Sequence, residues 1–432
     1  MGKTAKLLRR IHNGVRKRLG FTPPPPPPYG PDWLRIQDGG AADVIAILER
    51  SSPIDLEYYF VLGAAYHAQG DMSRAVAIWA AGADKQAELI LAAGLPWKLR
   101  YLGPLWTNSI GHMALLDILA KQRLLGLAEH DYVVVYDPET VGNDTYLDRW
   151  RPYFDIRKKP LITLDRLRPY FDIRKKPFIT LDRLRPYFDI RKKPLKTLAE
   201  VTPTVIRHRG RWRWIHDAAS DIEREWQAQR RDSLLRLSES DKKRARRALG
   251  LPRDAWFVTM HIREGGESRR NATVAEYIPA IEHITNEGGY VVRIGNPSMS
   301  RLPSFSRLID LAHLPRRDWL DLYAIAAGRF FIGTNSGPAW VAGTFRVPCL
   351  LTNWAPVGIS PHYPDTIILP QRLWSRSQNR YIDDAEQLSG PLAFAENPTV
   401  LNHLGIEVVS NTAEELCAAT ARMLTLTAQT TR

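Results

Sequence analysis

Cysteine is nearly absent from this chain. Cys349 and Cys417 are the only two among 432 residues, too few for a disulfide framework or a cysteine metal site. Long apolar runs are missing too, since no stretch approaches the ~18 residues of a membrane span. The N-terminus has no apolar core followed by a small-residue cleavage site. Together these absences point to a reducing cytoplasm. Basic charge is scarce where a nucleic-acid surface would need it. The net charge is +14, yet Lys3, Lys6, Arg9, Arg10, Arg16, Lys17 and Arg18 all lie in residues 1–20 with no acid among them. Two copies of a repeat carry most of the remainder, so the globular body is close to neutral and a nucleic-acid partner is disfavoured.

What is present begins with that basic head. Leu7, Ile11, Val15 and Leu19 stand four apart, a helical face that reads either as a peripheral contact with an anionic membrane surface or as a solvated tail. Pro23 to Pro28 follow, a polyproline II spacer of about 19 Å at ~3.1 Å per residue. Residues 1–30 are thus a basic tail and linker. In residues 31–92, Leu62, Gly63, Tyr66, Ala75 and Trp79 fall at the spacing of one tetratricopeptide-like helix pair. A single unit cannot bury its own apolar face, so this helical subdomain is expected to dock on the body.

From "KLRYLGPLWTNSIGHMALLDILAKQRLLGL" onward the pattern becomes strand, polar loop, helix, with "DYVVVYD" as a buried strand. A second series, "WFVTMHI", "YVVRIG", "RFFIGT" and "VPCLLTN", begins after a charged helix near 229–249. Such alternation predicts an α/β fold with two doubly wound, Rossmann-like domains over 93–228 and 229–432. Between the two series a 17-residue unit, "RPYFDIRKKPLITLDRL", occupies 151–167, recurs almost unchanged at 168–184 and returns in most positions at 185–201. Near-identity of this kind reads as a tandem duplication. One copy is expected to continue the first domain with "YFDI" as a strand, the others forming a surface excursion.

Ligands of parallel sheets bind at the carboxyl ends of strands, so four loops there bear on function. "WTNSIGHMA" supplies Asn108, Gly111 and His112; "HIREGGESRRN" supplies His261, Arg263 and Glu264; "RIGNPSM" supplies Arg293, Gly295 and Asn296; "GTNSGPAW" supplies Thr334, Asn335, Ser336 and Gly337. Arg263 and Arg293 end neighbouring predicted strands, where guanidinium forks can grip a diphosphate. Thr334, Ser336 and the Gly337 N–H add neutral donors at a helix start, with Pro338 suited to the first turn. The ligand expected there is a nucleoside diphosphate. The loop beginning at Asn296 is a candidate reader of its base.

At these residues the chain resembles known enzymes. "GTNSGPAWVA" resembles the phosphate loop of the heptosyltransferase-like C-terminal domain, and "HIR" resembles the His-x-Arg motif of fucosyltransferase-like enzymes. Residues 250–360 as a whole resemble an uncharacterised family of bacterial glycosyltransferases with the GT-B fold. The resemblance implies sugar transfer from a nucleotide-sugar co-substrate, bound mainly by the C-terminal domain, to a glycan or lipid-linked acceptor entering from the N-terminal one. It implies that Arg263 contacts the donor diphosphate, that His261 shapes the strand end, and that Thr334, Ser336 and Gly337 cradle phosphate. The heptosyltransferase loop has Asp where this chain has Asn335 and His where it has Trp340, so the donor sugar does not carry over. No Asp-x-Asp is present to hold a divalent ion, and transfer without metal or cofactor is expected. His112 and Glu264 are the candidate general bases. A nucleotide-sugar epimerase of the same fold and a non-catalytic scaffold binding through the helical repeat and polyproline are the alternatives.

Overall fold

Strands form where runs of Val, Ile, Phe and Leu are short and bounded by turn residues. The computed structural model describes residues 36, 39–51, 56–92, 98–158, 205–265, 268–315 and 317–428. The basic head and the proline run fall outside this set. Helices α1 (Ala41–Leu48), α2 (Leu56–Ala68) and α3 (Met72–Ala92) come first. The α2–α3 pair is close because Gly63 has no side chain: a Cβ there would stand 2.3 Å from Trp79 Nε1. The turn between them, at Gly70, lies against Gly390, where a Cβ would meet the carbonyl oxygen at 2.1 Å. His67 packs on Phe394 at 4.2 Å between ring centres and on Trp214 at 5.6 Å.

A first parallel sheet joins β1 (Leu99–Leu102), β2 (Asp131–Tyr136) and β3 (Asp155–Lys158) in that order. Helices α4 (Ile110–Ala114) and α5 (Leu116–Leu124) lie between β1 and β2, and α6 (Asp144–Arg149) between β2 and β3. The first repeat copy therefore does extend this sheet, but as "DIRK" rather than "YFDI". Tyr153 and Phe154 stay ahead of the strand, Phe154 buried against Trp150 and the Tyr153 hydroxyl donating to the Leu234 carbonyl at 2.9 Å. The other two copies fall outside the described residues. A hairpin, β4 (Val205–His208) and β5 (Arg211–Trp214), then leads to α7 (Ile215–Ala228) and α8 (Glu239–Ala248). The charge-rich α8 starts at a Ser238–Asp241 capping box. Lys121 on α5 binds Asp117 at 2.6 Å and Glu223 on α7 at 2.7 Å, all three buried.

The second sheet is built from β6 (Phe257–His261), β7 (Tyr290–Arg293), β8 (Leu308–Asp310), β9 (Phe331–Gly333), β10 (Cys349–Trp354) and β11 (Thr366–Pro370). All its pairs are parallel and its order is β11-β10-β9-β6-β7-β8. Numbered within the sheet, this is the dinucleotide-fold order. Helices α9 (Ile278–Asn286), α10 (Asp318–Ala327) and α11 (Gly337–Thr344) follow β6, β8 and β9. The chain closes with a small antiparallel sheet, β12 (Arg372–Ser375), β13 (Arg380–Tyr381) and β14 (Ile406–Val409), interleaved with α12 (Asp384–Gln387) and α13 (Pro398–His403), and ends on α14 (Ala413–Leu426). Thr412 caps α14 in a capping box with Glu415. Among the described residues no helix is long and apolar enough to cross a membrane.

A row of rings ties the helical pair to the β4–β5 hairpin, α7 and α11. His216 packs on Trp214 at 4.7 Å and on Trp340 at 5.4 Å, and His362 lies 6.1 Å from Trp340 on its other side. Burial holds His67 at about 4 and His216 at about 3, and it drives His362 well below its ordinary value. The unfolded chain takes up these protons near 6.5, whereas the folded chain resists them. Stability is therefore expected to fall as pH drops from 6.5 toward 4, by up to about 1.4 kcal/mol per pH unit for each such histidine. Burial raises Asp117 to about 6, which acts in the opposite sense between 3.8 and 6. Denaturant midpoints measured across this range should show the acid loss, and His67→Phe should lower its slope by about one proton; an unchanged slope would mean that His67 already titrates freely.

Candidate functional site

The strand order of the large sheet reverses between β6 and β9, and at that point His261 and Gly333 end side by side as register partners. A Cβ on Gly333 would stand 2.5 Å from the His261 carbonyl oxygen, so only glycine allows this ending. Such a switch point is where open α/β sheets bind ligands. The chain then passes through Thr334, Asn335 and Ser336 into α11, with Pro338 in its first turn.

The three side chains of this loop are buried and engaged. Thr334 Oγ1 accepts from the Arg263 N–H at 3.1 Å. Asn335 donates to the Ala355 carbonyl at 3.0 Å and accepts from Trp340 Nε1 at 3.2 Å. Ser336 Oγ shares a 3.0 Å hydrogen bond with His261 Nδ1. Burial, then the charges of Arg263 and Arg293, hold His261 at about 4, so its ring is neutral at neutral pH. These polar side chains form the frame of the loop. The donors suited to an anion are instead main-chain N–H groups at the start of α11, which have no acceptor within the helix.

The loop of the first sheet meets this frame glycine to glycine. A Cβ on Gly111 would lie 3.2 Å from Gly337 Cα, and one on Gly337 would lie 2.6 Å from Ile110 Cγ1. Beside the contact is a pocket of about 200 Å³ lined by Ile110, Asn143 and Tyr146 from one side and by His261, Asn296 and Asp321 among others from the opposite one. Asn143 caps α6 by accepting from the Tyr146 N–H at 2.8 Å, and it donates to the Asp318 carbonyl at 3.0 Å. The Tyr146 hydroxyl reaches Thr344 Oγ1 at 3.0 Å. Asn143, Tyr146 and Asp321 were not legible as site residues. Only Asn143 carried a signal, as the cap of the helix that follows a strand's carboxyl end. Asn108 and His112 are exposed and do not line the pocket.

The two arginines part company. Arg293 is fully buried; it donates to the Ser300 carbonyl at 2.6 Å, to Asp310 at 3.2 Å and to Glu264 at 3.3 Å. Glu264 also accepts from the Ser300 N–H at 2.8 Å. Arg293 and Glu264 thus brace residues 294–300, where Gly295 lies against Met299 and Asn296 accepts from the Ser298 N–H at 3.0 Å. In this geometry Arg293 does not offer its fork to a ligand, and Glu264 holds Arg293 rather than standing ready as a base. Arg263 is different: it is half-buried and its Nε has no hydrogen-bond partner. Among the described residues no group of three or more His, Cys, Asp or Glu could hold a metal ion.

No family model and no curated protein matches this chain. Among solved structures, the ADP-heptose LPS heptosyltransferase II of E. coli overlaps 76% of this chain and 99% of its own at 12% identity, with a TM-score of 0.43. The glycosyl transferase family 9 protein of Veillonella parvula overlaps 76% and 97% at 14% identity and 0.41. E. coli heptosyltransferase WaaC with ADP-2-deoxy-2-fluoro heptose overlaps 65% and 94% at 9% identity and 0.35. These are proteins the chain is similar to, and overlap at such scores says nothing of its substrate.

Replacing Glu264 with Gln removes one of two carboxylates from a buried guanidinium. Glu264→Gln is expected to destabilise the protein by about 1–3 kcal/mol, read as a lowered thermal midpoint. An unchanged midpoint would show that the carboxylate is not committed to Arg293.

Proposed function

We propose that the protein is a glycosyltransferase of the GT-B type, moving a sugar from a nucleotide-sugar donor to a glycan or lipid-linked acceptor. The observation that carries this reading is the switch point itself: a dinucleotide-fold sheet ends at β6 and β9 beneath a helix start, and a second parallel unit closes the pocket from the other side. In this reading the donor base lies by the Gly295–Asn296 turn, and the diphosphate lies against Arg263 and the main-chain N–H groups of Ser336 and Gly337. The acceptor enters from the side of Asn108, Gly111 and His112.

Departure of the nucleotide builds negative charge on the diphosphate. Fixed guanidinium and main-chain N–H donors stabilise that charge without reorganising, so we propose transfer without a divalent ion. The acceptor hydroxyl must lose a proton as it attacks the anomeric carbon. His112 takes that role in our reading, since Glu264 is engaged by Arg293. Contact of the basic head with the inner face of the membrane is a further part of the proposal, and it is supported by sequence alone.

Calorimetric titration with UDP, GDP, ADP and CMP, run with and without a chelator, tests the reading. One nucleotide is expected to bind, with chelator making no difference, and Arg263→Ala is expected to weaken it by roughly 10- to 100-fold. Failure of all four to bind would overturn it and favour a scaffold acting through the docked helical pair.

A further inference from the structure

The loop after β6 carries two more arginines, and the fold sends them in opposite directions. The Ala272 N–H donates to the Arg263 carbonyl at 3.1 Å, which brings the far side of the loop back to the end of β6. Within the loop Arg269 turns inward and is buried. Its Nη1 donates to the Leu392 and Ala395 carbonyls at 3.1 Å each, and its main-chain N–H donates to the Glu396 carbonyl at 2.8 Å. The Gly358 N–H holds the same segment through Ala393 at 2.8 Å. The backbone that carries Glu396 is therefore pinned.

Arg270 turns the other way. Its Nη2 lies 3.1 Å from Glu396 Oε2, and its Nε lies 3.4 Å from Ser268 Oγ. The charges that act on Arg263 are those of Arg270, which opposes its own, and of Glu396, which favours it. Arg263, Arg269 and Arg270 thus face the single carboxylate of Glu396, which pairs directly with Arg270 alone, in a partly desolvated corner beside the Thr334 loop. Arg263 Nε is buried without a hydrogen-bond partner, and one carboxylate cannot balance the charges gathered around it. The Glu396 side chain is 46% exposed; it can rotate into water while its backbone stays in place.

We propose that Arg263 and Arg270 are two arms of one clamp for the diphosphate of a nucleotide donor, and that Glu396 is the resident carboxylate which the diphosphate displaces. This rests on the glycosyltransferase reading above and replaces Arg293 by Arg270 as the second arm. A diphosphate carries the charge that one carboxylate lacks, and its oxygens match two guanidinium forks. Glu396 keeps Arg270 aligned in the empty site and competes with the incoming anion.

The test is calorimetric titration of the full chain, of Arg270→Gln and of Glu396→Gln with inorganic pyrophosphate and with UDP, GDP and ADP, thermal midpoints serving as the folding control. Arg270→Gln is expected to weaken both pyrophosphate and the preferred nucleotide by at least about tenfold, and Arg270→Lys to recover only part of the loss. Glu396→Gln is expected to tighten both. The opposite signs separate a clamp from a structural defect, which would weaken binding in either variant. Unaltered affinity in Arg270→Gln, or weaker binding in Glu396→Gln, overturns the clamp and leaves the glycosyltransferase reading standing. If the native chain binds none of these four probes, the clamp falls, and the glycosyltransferase reading falls with it if CMP also fails to bind.

Discussion

The site depends on β6 and β9 ending at the same level, with His261 opposite Gly333. Because the sheet's order reverses between these strands, their following loops diverge and leave a crevice. Gly333 lets the two backbones meet, and the Ser336–His261 hydrogen bond then fixes the start of α11 relative to the end of β6. The Thr334 hydroxyl receives the Arg263 N–H and sets where the neighbouring loop leaves its strand. The neutral state of His261, enforced by burial, keeps this joint uncharged beside two arginines.

Buried charge in this protein includes two contrasting kinds. Lys121 and Arg293 each lie between two carboxylates, a condition under which a desolvated cation serves structure. Arg263 lies in no such bridge: Arg270 opposes its charge, and Glu396, which favours it, is already paired with Arg270. An uncompensated guanidinium at the mouth of a parallel sheet is the physical basis for assigning an anionic ligand. Local position along a strand does not separate the two kinds, since Arg263 and Arg293 both stand near strand ends.

The N-terminal helical pair reaches the same region indirectly. Gly70 and His67 lie against Gly390 and Phe394, in the segment whose backbone Arg269 secures and which presents Glu396 to Arg270. The helical pair therefore buttresses the support of one site loop. The row His67, Trp214, His216, Trp340 and His362 makes that support a continuous packed body rather than an appended module.

The sequence by itself determined the α/β alternation and the main strands, because short apolar runs bounded by glycine and polar residues have one economical arrangement in a parallel sheet. It also determined the strand-end loops as the place of interest, and the helix start at Gly337–Pro338. Only the tertiary structure decided which polar groups face inward: Thr334, Asn335 and Ser336 became the frame, Arg293 and Glu264 became a brace, and Asn143, Tyr146 and Asp321 came to line the pocket. The physical reason is that a buried polar atom is assigned by its partners, and those partners come from as far along the chain as Asp310, Ala355 and Glu396. No local pattern specifies contacts at such separations.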